Sequence, residues 1–420
     1  MKLQHMWVLG LMLIAVSSAQ AREWTDSNGK LLIRAQLLAE KDGNVRLMKR
    51  DGDEQPQIVT LPLAELSKVD REYLVAVTAI RELGGAVFTF GEEGTRVRLS
   101  GPKFSDADLQ HLTKLTDLTS LRIVHSKITD TGLEHLKTLK NLKVLGLEST
   151  NVTGGGLKHL KGLPRLERLS LSFSSKFNDA GLEFLNDLPS LRWLQLGGSS
   201  VTSSSLKNLK GLTNLTLLTL RGTEVTDDGL KHVQGLTNLI HLALDHTYVT
   251  DAGLAHLKRM VNLKLLSLQG TEVTGSGLLH LKACENLAYL NLRNSAANDA
   301  GLKHLKGLSN LKGLELHTCA ITNAGLRHLK DLTNLETLYL FETPISDAGL
   351  IHLKRLTKLK KLHIGKTLVS DAGANVLKQA WPDCRIYHVT GSIDEIRSEI
   401  RKNRERRARK LRKMKSAPKK

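Results

Sequence analysis

Leu335-Glu-Thr-Leu-Tyr-Leu-Phe-Glu-Thr-Pro-Ile-Ser-Asp-Ala-Gly-Leu-Ile-His-Leu353 contains the two patterns from which the fold follows. The first, Leu335-x-x-Leu338-x-Leu340, ends in the alternation of a strand with one buried face. The second opens at Ile345 and runs apolar residue, Ser or Thr, Asp, Ala, Gly, Leu. Close relatives of this block open at Phe104, Ile128, Val152, Phe177, Val201, Val225, Val249, Val273, Ala297, Ile321, Ile345 and Val369. Ten of the eleven intervals are 24 residues; the step from Val152 to Phe177 is 25. The leucine pattern keeps the same step, at Leu142, Leu145 and Leu147, at Leu215, Leu218 and Leu220, and at Leu263, Leu266 and Leu268. Self-similarity at such a period marks a solenoid and overrides any reading of the chain as an ordinary globule.

The stretch after Asp-x-Gly reads as a short helix. In Gly132-Leu-Glu-His-Leu-Lys137 and its continuation, leucines at 133, 136 and 139 recur every three residues, which suits a tight one-sided turn of 3₁₀ type. Thr129 is placed to cap its start, and Asp130 to favour the helix dipole. Lys137 and its equivalents Lys161, Lys210, Lys258, Lys282, Lys306, Lys330 and Lys354 sit at the opposite end, followed in places by stop glycines such as Gly162 and Gly211. One such unit cannot bury its own leucines, so stability must come from stacked neighbours. The expected fold class is α/β, with a parallel sheet on the concave face and short helices on the convex face. About twelve repeats at ~4.8 Å give a sheet roughly 55 to 60 Å long. The face without helix cover is the natural binding surface.

Leu-x-x-Leu-x-Leu-x-x-(Ser/Thr)-x-Val-Thr-Asp-Ala-Gly-Leu-x-His-Leu resembles the leucine-rich repeats, in particular the cysteine-containing subclass found in F-box-type adaptors and in bacterial exported proteins. The resemblance covers about residues 73 to 390. Where that subclass has Asn or Cys after the strand, this chain has Ser126, Thr150, Ser174, Ser199, Thr223, Thr247, Thr271, Ser295, Thr343 and Thr367, with Cys319 the exception. A stacked ladder of these hydroxyls is expected to satisfy loop backbone groups between repeats. No F-box precedes the repeats, so a ubiquitin-ligase role has no support in these residues. Cys284, Cys319 and Cys384 make an odd count without paired spacing, and the disulfide caps common in exported animal repeats are missing. The pattern suits a bacterial periplasmic or secreted protein.

Residues 1–21 read as a signal peptide, with Lys2, an apolar run from Met6 to Val16, and Ala19-Gln20-Ala21 as the cleavage site. That run is too short for a comfortable membrane span, and no other stretch would cross a bilayer. Residues 22–72 form a separate module: Trp24, Leu31 to Leu38, Val45 to Met48 and Ile58 to Leu63 are strand-like, separated by turns at Asn28-Gly29, Asp42-Gly43-Asn44 and Asp51-Gly52. Arg22-x-Trp24-Thr-Asp-x-x-Gly-Lys30 and Leu61-Pro-Leu-x-x-Leu-Ser-x-x-Asp70 resemble the Sla-type homology domain, an SH3-like barrel. That resemblance implies binding of Asn-Pro-Phe-x-Asp peptides. Residues 73–100 then cap the solenoid, with a helix from Tyr73 to Leu83 and a strand at Val97 to Leu99; residues 101–391 are the repeats.

The formal net charge is +19. Residues 392–420 alone hold 13 Lys or Arg against four acids, whereas the module at 22–72 is near neutral. Ser392 and Glu395 suit a capping box, and Ile393, Ile396 and Ile400 one apolar stripe; beyond it the tail is basic on nearly every side. It reads as solvated, or as bound to an anionic lipid, wall polymer or nucleic acid. Nucleic acid is disfavoured, because no aromatic residue follows Tyr387.

Two columns invite a chemical reading. His111, His135, His159, His232, His256, His280, His304, His328 and His352 share one repeat position, but on outer helices, with no cysteine or carboxylate in ligand-like spacing. Asp106, Asp130, Asp179, Asp227, Asp251, Asp299, Asp347 and Asp371 recur at helix starts, and one catalytic pair would not need eight copies. Gly154-Gly-Gly156 replaces Asp-Ala-Gly in one repeat and is no phosphate loop. No nucleophile elbow, Walker loop or His-Glu-x-x-His is present. Catalytic residues, metal and cofactor are therefore not expected. The better candidates alternate with the strand leucines: Arg122, Trp193, Gln195, Arg221, His241, Asp245, Tyr289, Asn291, Arg293, Glu315, His317, Tyr339, Phe341 and His363. Trp, Tyr and Arg are the residue types that anchor interfaces. The sequence thus reads as an exported, non-enzymatic adaptor holding a protein partner on its concave sheet. The alternative is a surface-attachment protein held through residues 392–420.

Overall fold

A computed structural model describes residues 21–49, 55–90 and 93–416, with side chains through Lys413. The segment expected to be a signal peptide, through Gln20, and the expected turn at Asp51-Gly52 lie outside the described residues. The chain divides into two compact units, residues 1–146 with 162–166, and residues 147–161 with 167–420.

In the first unit, β1 (Arg22–Thr25), β2 (Leu31–Lys41), β3 (Asn44–Lys49) and β4 (Gln57–Pro62) form an antiparallel four-stranded sheet in chain order. Helix α1 (Lys68–Glu82) follows, capped by Ser67, whose side chain accepts from the Asp70 amide. Four more strands belong to this unit: β5 (Ala86–Thr89), β6 (Thr95–Ser100), β7 (Leu118–Val124) and β8 (Val144–Gly146). β5 runs antiparallel to β6; β6, β7 and β8 are parallel.

Arg22 ties these parts together. Its guanidinium donates to Asp70 at 2.9 Å and Asp117 at 3.2 Å and lies 3.9 Å above the Tyr73 ring. Buried Trp24 meets Tyr73 edge-on at 6.0 Å and donates its indole N–H to the Ala35 carbonyl at 2.9 Å. Burial alone would raise the Asp70 carboxyl, but the Thr25 amide, Arg22 and the Thr25 hydroxyl outweigh it and hold the pKa below the usual value.

The second unit carries ten parallel strands: β9 (Arg168–Ser170), β10 (Trp193–Gln195), β11 (Leu217–Thr219), β12 (His241–Ala243), β13 (Leu265–Ser267), β14 (Tyr289–Asn291), β15 (Gly313–Glu315), β16 (Thr337–Tyr339), β17 (Lys361–His363) and β18 (Arg385–Tyr387). Their register places leucine beside leucine, from Leu194 and Leu218 through Leu338 and Leu362, ending on Ile386. Those leucines are fully buried, as are the apolar residues that open each block from Val201 to Ile345. Between strands run short helical segments such as Ser203–Leu209 and Gly253–Leu257. Helix α2 (Asp371–Ala380) closes the repeats, and α3 (Ile393–Ser416) follows β18.

The recurring polar residues do more than end helices. Asp106, Asp179, Asp227, Asp251, Asp299 and Asp347 each reach the next repeat and accept from the amide and hydroxyl of its Thr or Ser. Asp227 does so with Thr250 at 2.8 and 2.7 Å, Asp299 with Thr322 at 2.8 and 2.6 Å, and Asp347 with Ser370 at 2.8 and 2.6 Å. Where aspartate is missing, Asn323 holds the Ser346 amide at 2.9 Å in its place. Expecting these carboxylates to serve only the helix dipole understated them. A second ladder runs through asparagines, Asn238 to Thr213, Asn262 to Thr237, Asn286 to Val261 and Asn310 to Glu285, each donating to a carbonyl 25 residues back at 2.8–3.1 Å. The hydroxyl ladder differs from expectation. Thr223, Thr247, Thr271 and Thr343 donate within their own repeat, to the carbonyl three residues earlier, at 2.5–2.6 Å. Among the described residues of this ladder, only Ser174 and Cys319 reach a carbonyl of the preceding repeat, those of Leu147 and Leu292.

The glycine of each Asp-Ala-Gly is set by this staple. A Cβ on Gly253 would overlap the Asp227 carboxylate, and one on Gly132 would meet Asp106 Oδ1 at 2.5 Å. Gly253→Ala should therefore destabilise the second unit by about 1–3 kcal/mol, read as a lower urea midpoint. Asp70→Asn should cost roughly 2 kcal/mol at neutral pH by weakening a charged hydrogen-bond network. The depressed Asp70 pKa makes its contribution complete above pH about 4 and lost as pH falls further, so acid melts of the variant should flatten in that window. An unchanged acid profile would count against this role.

Candidate functional site

The buried leucine in the middle of each strand forces its two neighbours to the opposite face, and the residue after the next leucine joins them. In the second unit this makes three outward columns. Thirteen of the fourteen candidates lie on them; Arg122 is on β7 of the first unit and is exposed. Trp193, His241 and Tyr289 share the first column, and Gln195, Asn291, Glu315, Tyr339 and His363 the second. Arg221, Asp245, Arg293, His317 and Phe341 form the third, just past the strands.

Rings gather at one end of the face. His317 and Tyr339 lie 4.8 Å apart, Tyr339 and His363 stack at 4.4 Å, and His363 stacks on Tyr387 at 4.1 Å. The strand register supplies the spacing. Burial, then Arg293 and His363, push the His317 imidazole down to about 3, so it is neutral at physiological pH. Burial likewise lowers His241 and His363. Glu315, 3.8 Å from His317, is pushed up by burial, against the pull of Arg293.

At the other end the Trp193 ring lies 4.0 Å from the Arg168 guanidinium and stays 38% exposed. Tyr289 is 50% exposed and leans over Gly313, where a Cβ would strike its ring. Between these regions the second column is small: Thr219, Ala243 and Ser267, beside half-buried Leu217 and Leu265. Asp245 is buried at this floor, accepting from the Ser267 hydroxyl and from the Gln269 amide at 3.1 Å. It is a structural acceptor more than a free carboxylate.

Arg168 and Tyr387 were missed from sequence, although both lie on the repeat step, 25 residues before Trp193 and 24 after His363. The tail helix α3 does not fill the face through any described contact. It lies along the loops past the strands, where Arg407 donates to the Asn294 carbonyl at 2.8 Å and pairs with Glu272, and Lys410 donates to the His246 carbonyl.

Comparison with known proteins fits this architecture. Residues 16–82 match the family SLA1 homology domain 1. An internalin from Listeria monocytogenes, inlF, is similar at 23% identity and TM-score 0.58, covering 76% of this chain and 90% of its own. A leucine-rich-repeat protein from Leptospira interrogans is similar at 18% identity and TM-score 0.40, covering 69% of this chain and 89% of its own. No curated protein matches the chain. Residues 16–82 thus match SLA1 homology domain 1, and the repeats that follow have the leucine-rich-repeat fold.

Proposed function

We propose that the protein is an exported, non-enzymatic adaptor that holds a protein partner on the open face of its repeat sheet, within residues 193–363. The observation that carries this reading is the exposure of Trp193 and Tyr289 on paired strands over which no helix of the described residues lies. A partner laid across this face would desolvate both rings together with Arg221 and Arg293, the residue types that dominate interface energetics. The imidazoles and Tyr339 spend their ring faces on one another, which suits a preformed contact surface better than proton transfer to a shared substrate atom. Export rests on the leader-like residues 1–21. Among the described residues no helix is long and apolar enough to cross a membrane.

The partner is sought by cross-linking and affinity capture from the native envelope, with mass spectrometry, and then titrated as a purified protein. Trp193→Ala and Tyr289→Ala should each weaken binding about tenfold or more. The melting temperature should move by no more than about 2 °C, as expected for surface sites. Undiminished binding by both variants would remove the open face as the site.

A further inference from the structure

The described side chains of α3 divide into two sets. One side faces the repeats: Ile396 and Asn403 are buried, Arg407 uses the Asn294 carbonyl and Glu272, and Lys410 uses the His246 carbonyl and lies 4.9 Å from the Tyr248 ring. Carbonyls at His246 and Asn294 are open to these cations because both residues adopt left-handed backbone, φ 57° and 52°, at the turn after their strands. The other side carries Arg397, Arg401, Arg404, Arg406, Arg409 and Arg412, all exposed and without ion pair or hydrogen bond among the described residues. From Arg401 to Arg412 the only acid is Glu405.

We infer that this outward arginine face is a docking surface for the phosphate headgroups of an anionic phospholipid bilayer, independent of the partner face on the sheet. Arg397 to Arg412 span about 22 Å of helix at ~1.5 Å per residue; at ~3.6 residues per turn Arg397, Arg401, Arg404 and Arg412 share one strip, and Arg406 and Arg409 extend the charge round its flank. Guanidinium forks match phosphate oxygens two at a time, which favours phosphate over a diffuse anionic field. A helix laid flat against a larger body can meet a planar surface along its length. The same pinning keeps it from sinking into a duplex major groove, and the face has no aromatic ring on which a single strand would stack. Ile396 is buried and Ile393, Ile400 and Leu411 are partly buried, while the exposed positions named above are all arginine, so contact is chiefly electrostatic and reversible.

The test uses the full chain and sedimentation with phosphatidylcholine vesicles, with or without roughly 30 mol% phosphatidylserine, at about 0.05 M salt. Binding should require the anionic lipid and be released at about 0.5 M salt. Each outward cation near the surface contributes about fivefold, so the fourfold variant Arg397→Gln, Arg401→Gln, Arg404→Gln and Arg412→Gln should lose at least about 100-fold. The matching Arg→Lys variant should retain most binding, and circular dichroism melts of both should overlay the parent. Equal binding to neutral vesicles, no loss in the Gln variant, or tighter capture by duplex DNA than by vesicles at the same salt would each overturn the assignment.

Discussion

No single coil of this chain can bury its own leucines, and everything else follows from that deficit. A 24-residue unit shields one side of its apolar stripe and leaves the other for its neighbour. Register is then dictated: Leu194 must lie beside Leu218 and Leu218 beside Leu242, or a row of leucine would face water. Once the leucines are aligned, every other position is aligned too, and residues 24 or 25 apart become contacts. The aspartate staples, the asparagine ladder and the glycines that make room for them are consequences of that imposed repetition.

The same repetition explains the charge distribution. Carboxylates of the recurring aspartates turn toward the adjoining repeat and are consumed there by amides and hydroxyls; at Asp179 and Asp251 burial is outweighed by these donors, which hold the carboxyls low. The lysines at the far ends of the helical segments, such as Lys258, Lys282, Lys306 and Lys330, are exposed. The protein therefore shows solvent more of its cations than of its anions, beyond what a formal charge of +19 conveys.

The solenoid and most of its outward side chains were legible because period and alternation are local signals that add up over many copies. Trp193, Tyr289, Tyr339 and His363 fall on the face by counting alone. The asparagine ladder was not legible, since Asn238 or Asn262 reads in isolation as a surface residue, and its carbonyl partner bears no side-chain mark. The Asp227 to Thr250 staple was hidden behind helix capping, which Thr250 also performs by accepting from the Ala252 amide at 3.3 Å, because the two patterns share the same residue types at the same place. Least legible was the seat of α3. Arg407 meets Asn294 across 113 residues and Lys410 meets His246 across 164, and no local pattern announces such distant contacts. The tail's amphipathic start at Ile393 and Ile396 was visible, but not the surface it would choose.

That seat bears on how the carboxyl-terminal half comes apart. Repeats that touch only their immediate neighbours can fray one at a time, each step independent of coils farther along. α3 is braced against loops of several coils, from the turn carrying His246 to the one carrying Asn294, and so acts as a splint. Coils that would otherwise peel singly are obliged to let go as a group, and loosening the splint would return them to piecemeal opening.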